Sequence, residues 1–246
     1  MKDEVVQAFT RHLRKESNDV HYLGSIQGVE LFYDILYNGT AISRDAPDMV
    51  CIKDNTAIII EHFEFDCYRI GNRGSKNKQE QARIEKKKKT IPIPKEGLVY
   101  TDTIQGENSY EDYVKNVTRS FNAHYQKIET YKQNLLNDGI ITPGMDIKVS
   151  FLIEDVSPLP CMYKEWVNKS VKMRLIELAH SPEFLELFSK SPALDYVIAC
   201  SSTSDGSLVW FIDRNEISAY KKEAVDYKNK EFLALTPHVI EVSYPI

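Results

Sequence analysis

Two short apolar runs, Met49 to Ile52 and Ala57 to Ile60, stand either side of Asp54-Asn55-Thr56, and no other stretch of the chain constrains its fold as tightly. β-branched and apolar residues broken by a cluster of short polar side chains predict a β-hairpin over 47–66. The first strand is preceded by Pro47-Asp48. The second ends its apolar run abruptly with Glu61, His62, Glu64 and Asp66. Carboxylates on a core strand cost stability unless they are needed there, so this strand end is the first candidate for chemistry. A strand apolar on both faces, as Ile58 to Ile60 would be, also needs cover on both sides.

A hairpin with Pro-Asp on one strand and an acidic residue after the apolar run of the next resembles the PD-(D/E)XK nuclease superfamily. Asp48 and Glu61 match its first two motif positions; at the third, Phe63 stands where the pattern has lysine. The resemblance implies a restriction-endonuclease-like core, an α/β fold with a mixed central sheet flanked by helices. It also implies Mg²⁺ or Mn²⁺ held by Asp48 and Glu61, and metal-dependent phosphodiester hydrolysis of DNA. The alternative is a catalytically degenerate nuclease-fold protein that binds nucleic acid or a protein partner.

Strand alternation places Glu61 with Phe63 and Phe65 on one face, and His62, Glu64 and Asp66 on the other. Either Glu61 faces the metal and the lysine comes from elsewhere, with Lys76 and Lys78 the nearest candidates, or the second trio forms the polar face. His62 is the alternative general base near neutral pH. Glu4 or Glu30 would supply an extra acidic residue, although each also reads as a solvated surface side chain.

Charge is unevenly distributed. The 246 residues carry a net −5, yet from Arg69 to Lys95 ten Lys or Arg face two Glu, leaving the rest of the chain strongly acidic. That strip, with Arg69, Arg73, Lys76, Lys78, Arg83, Lys86 and Lys87, is the candidate phosphate-binding surface, DNA being the expected partner and RNA the second. Lysine runs are as often merely solubilising. Cys51, Cys67, Cys161 and Cys200 show no metal or disulfide spacing, and neither a signal peptide nor a membrane-length apolar run is evident. The expectation is a cytoplasmic protein without a membrane partner, with a homodimer as a candidate assembly.

Along the chain the expected elements are a helix over 2–16 and a strand over 29–37, then the hairpin. A helix over 78–89 and a Pro-rich connector at 91–94 precede a long helix over 108–137, opened by Ser109 with Asp112 and stopped by Asp138-Gly139. The phase of that helix puts His124 near its apolar stripe, where a packed core histidine is the ordinary outcome. A central strand over 146–155 and helices over 170–179 and 181–189 follow, then strands over 196–201 and 208–213. No linker divides the chain, so a single domain over 1–246 is expected, with 91–140 as a candidate helical insertion. No P-loop, dinucleotide-binding glycine motif or nucleophile elbow is present.

Overall fold

A computed structural model describes residues 20–67, 82–83, 86, 99–104, 109–157, 161–203, 206–232 and 238–243. The chain forms two compact units. One comprises residues up to Phe65, Val117–Val156 and Glu177–Asp226; the other comprises Asp66–Asn116, Ser157–Ile176 and the segment from Tyr227 onward. The expected helix over 2–16 and the connector at 91–94 lie outside the described residues. Of the expected helix over 78–89, Ala82, Arg83 and Lys86 are described, helical and exposed.

The first unit is α/β, built on a mixed seven-stranded sheet. In chain order its elements begin with β1 (Val20–Gly24), α1 (Ile26–Asn38), β2 (Thr40–Ser43), β3 (Met49–Lys53) and β4 (Thr56–Phe65). Across the sheet the strands run β1, then β10 (Gly206–Asp213), β9 (Tyr196–Thr203), β6 (Asp146–Asp155), β4, β3 and β2. β4, β6 and β9 are mutually parallel, and β3 pairs antiparallel with β4 as a hairpin. β6 is thus the central strand of the seven, with the bounds its alternating and then apolar pattern predicts.

Both sheet faces are covered, as the apolar run of β4 requires. On one face α1 buries Phe32 and Ile35 against Met49, Ile58, Ile60, Leu152, Ile198 and Phe211. On the other, Phe121 of α2 (Tyr110–Tyr125) meets Phe151 edge-on at 5.1 Å and Phe184 of α4 (Pro182–Ser189) at 5.9 Å. α4 starts where Ser181 predicts, its hydroxyl accepting from the Phe184 N–H.

Three expectations are corrected. Residues 29–37 are not a strand but lie within α1, which Ser25 caps by accepting from Gly28 N–H. Its buried residues Gly28, Phe32 and Ile35 step by four and three, a helical period obscured by additional apolar side chains on the solvent side. Residues 170–175 form a strand, β8 (Ser170–Leu175), and only Leu178–His180 make a helical turn, of the 3₁₀ type. The long helix over 108–137 is two helices: α2 ends at Tyr125 and α3 runs Ile128–Asn137. The break is a tightened turn in which Lys127 N–H reaches the His124 carbonyl, three residues back rather than four. Neither Gln126 nor Lys127 has a composition that announces a break.

The second unit contains β5 (Val99–Ile104) paired antiparallel with β12 (His238–Ser243), and a three-stranded sheet ordered β11 (Glu231–Phe232), β7 (Met162–Val167), β8. Tyr163 of β7 anchors that sheet, its ring meeting Tyr227 at 5.3 Å and Phe232 at 6.4 Å. Short α5 (Ile217–Lys222) is the last described α-helix of the first unit.

Candidate active site

The site grows out of the β3–β4 register. Met49 pairs with Ile60, so one step further Asp48 comes opposite Glu61, and strand alternation turns both away from the α1 face. The chain therefore presents two carboxylates from adjacent strands to the face covered by α2 and α3.

Glu61 is held from those helices. Its Oε1 accepts from the Tyr131 hydroxyl at 2.6 Å and lies 2.6 Å from His124 Nδ1. The side chain of Glu61 is only 6% exposed, whereas that of His124 is 24% exposed. An ionised carboxylate can only accept, so Nδ1 carries the proton, and in the neutral ring Nε2 is the acceptor. Burial, then the bond to Glu61, keeps the Tyr131 phenol protonated well above its ordinary range, so it remains a donor. Glu61 Oε2 is also buried but has no hydrogen-bond partner among the described residues. An orphaned carboxylate oxygen carries a substantial desolvation cost, which a cation or a donor from a ligand would relieve.

Asp48 is fixed by its neighbour's backbone: Oδ2 accepts from the His62 N–H at 2.7 Å. Burial pushes its carboxyl up to about 6; the His62 N–H works against this, and the Glu61 charge adds to it. The two carboxylates therefore repel each other.

The side chain of His62 lies on the opposite sheet face, where Nε2 stands 3.1 Å from Glu154 Oε2, with 2% and 5% side-chain exposure. Only its backbone touches the carboxylate pair. Glu154, at the end of β6, meets His62 on that face. Glu30 is exposed on α1, the helix on that same opposite face. Lys78, Arg69, Arg73, Lys76 and Lys87 lie outside the described residues, as does Glu4.

Two residues beyond Glu61 the buried Phe63 ring packs edge-on against Phe151 at 5.4 Å and stacks on the His124 imidazole at 4.7 Å, 14° from parallel. Sequence reasoning left His124 and Tyr131 in the core. They belong to the apolar stripe formed by Val117, Phe121, Ile128 and Leu135, and their seven-residue separation brings both onto Glu61 despite the turn between the helices. Two polar-tipped residues a heptad apart on such a stripe, facing a strand with a buried glutamate, are the signal that would have found them.

Among the described residues no group of three or more His, Cys, Asp or Glu side chains is placed to hold a metal ion. The four cysteines are free and buried, and burial pushes the Cys51 thiol up to about 12. No helix among the described residues is long and apolar enough to cross a membrane. Comparisons with protein-family models, with curated proteins and with solved structures found no match.

Proposed function

We propose that the chain is a metal-dependent phosphodiesterase of the PD-(D/E)XK kind acting on DNA, with Asp48 and Glu61 as its ion-holding pair. The observation that carries this reading is the facing of two carboxylates across the hairpin, with Glu61 Oε2 buried and unpartnered among the described residues. Mg²⁺ commonly takes only one or two protein carboxylates and completes its shell with water and substrate phosphate oxygens, so a two-carboxylate set fits Mg²⁺ or Mn²⁺. Such an ion, when bound, polarises the phosphate and acidifies a water. The chain's own residues prepare the place. Tyr131 and His124 occupy Oε1 and leave Oε2 unengaged, while the His62 backbone orients Asp48.

His62 is poorly suited to be the general base, its ring being buried against Glu154. His124 is the titratable nitrogen base on the correct sheet face, and Lys78 remains the candidate for a relocated lysine. The basic strip, including the exposed Arg83 and Lys86, would supply phosphate contacts.

A second reading, a nuclease-fold binding protein without catalysis, is favoured by Phe63 and by the two donors already on Glu61 Oε1. The test is cleavage of plasmid, single-stranded DNA and RNA with Mg²⁺ or Mn²⁺. Cutting by wild type that is lost in Asp48→Asn supports hydrolysis, and its additional loss in Lys78→Ala places the lysine there. Salt-sensitive binding without cutting, retained in Asp48→Asn, supports the second reading.

A further inference from the structure

The β7–β8 ribbon carries a surface that the carboxylate site does not explain. Its register pairs Trp166 with Val171 and Lys164 with Met173, which places these four on one face. Trp166 is 71% exposed, and Val171 and Met173 are exposed beside it. The other face is anchored at its base through Tyr163. A large amphipathic ring held on a paired strand and left in water marks a contact surface.

The ribbon is also cationic. Between Met162 and Leu175, Lys164, Lys169, Lys172 and Arg174 face a single acid, Glu165, a local +3 on a chain of −5. Lys164 is paired with Glu231, and Arg174 with Glu165 at 2.9 Å. Lys169 and Lys172 are exposed and have no such partner among the described residues; Lys172, in register with Glu165, lies on the face opposite Trp166, whereas Lys169 sits in the turn beside it. Asn168 and Lys169, with φ of 48° and 67°, make the tight two-residue turn that gives a narrow, strongly twisted ribbon. Among the described residues β8 is an edge strand of its sheet.

We propose that this ribbon is a binding site for single-stranded nucleic acid, in which Trp166 stacks on an unpaired base while Lys169, at the adjoining turn, meets a flanking phosphate. Aromatic stacking with adjacent cations is the general chemistry of such sites, and it needs only one exposed ring. A membrane surface would call for a broader apolar face than one ring flanked by Val171 and Met173. The choice of nucleic acid as occupant rests on the phosphodiesterase reading; the surface itself does not.

The test is binding of oligothymidylate and oligouridylate to the full chain in EDTA, which separates binding from hydrolysis. In a Trp210→Phe background, Trp166 is the sole tryptophan, and its emission should be quenched as oligonucleotide is added. Trp166→Ala should weaken binding about tenfold with little change in its salt dependence. Lys169→Gln should reduce the log–log salt slope by about 0.7, the value per single-strand phosphate contact. Asp48→Asn should leave all of this unchanged. Equal affinity for wild type and both ribbon variants, with unaltered melting curves, would overturn the proposal. So would a Trp166 emission shift with phosphatidylserine vesicles but not with oligonucleotide, or self-association abolished by Trp166→Ala in place of oligonucleotide binding. Duplex binding as tight as single-strand binding, insensitive to Trp166→Ala, would exclude base stacking.

Discussion

His124 Nδ1 and Glu61 Oε1 lie 2.6 Å apart, joining the helical layer to the β4 carboxylate, with Tyr131 donating to the same oxygen. This clasp immobilises a buried acid. Removing one donor should therefore cost more than an average surface change: Tyr131→Phe should lower the unfolding free energy by about 1.5–3 kcal/mol, the range for bonds to charged groups. Chemical denaturation of Tyr131→Phe, Glu61→Gln and the double variant checks it. A coupling of about 1 kcal/mol or more between the two sites is expected, because they share one bond.

Asp48 gives the protein a definite pH signature. Its folded carboxyl titrates near about 6, above the value of about 3.9 for a free aspartate, so the native state holds the proton that the unfolded chain has released. The stability this contributes is fully present below the unfolded value and is lost as pH rises through the folded one. In urea unfolding, wild type should lose stability relative to Asp48→Asn as pH rises from about 4 to about 7.

Gly28 lies where α1 crosses β10. A Cβ there would come 2.3 Å from the Phe211 ring, and that ring is buried with Phe32 and Ile35. Gly28→Ala gains helix propensity but must displace Phe211, so a net loss of about 1–3 kcal/mol is expected, read as a lowered denaturation midpoint. An unchanged midpoint would show that the ring moves aside freely.

Much of the sheet was legible because burial writes a strong pattern. β4 and β6 are apolar where both faces are covered, and β9 and β10 pair antiparallel. α1 was misread because Val29, Leu31, Tyr33 and Tyr37 give it strand-like composition, although Leu31 and Tyr37 are exposed. β8 was misread because all its residues from Ser170 to Arg174 are exposed, so no two-residue alternation in burial marks it. Asp48 and Glu61 could be paired from the hairpin alone. The clasp on Glu61 could not, since it depends on how α2 and α3 pack on the strand, which spacing within the helices does not specify.

The central proposal is that Asp48 and Glu61 hold a divalent ion through the Glu61 oxygen that has no hydrogen-bond partner among the described residues. Isothermal calorimetry with MgCl₂ and MnCl₂ at about pH 7.5, where Asp48 is ionised, tests it most directly. The account predicts saturable binding of one ion by wild type, abolished in Glu61→Gln and in Asp48→Asn while both variants remain folded by circular dichroism. Wild-type protein that takes up neither ion, or that binds one equally well after Glu61→Gln, would contradict it.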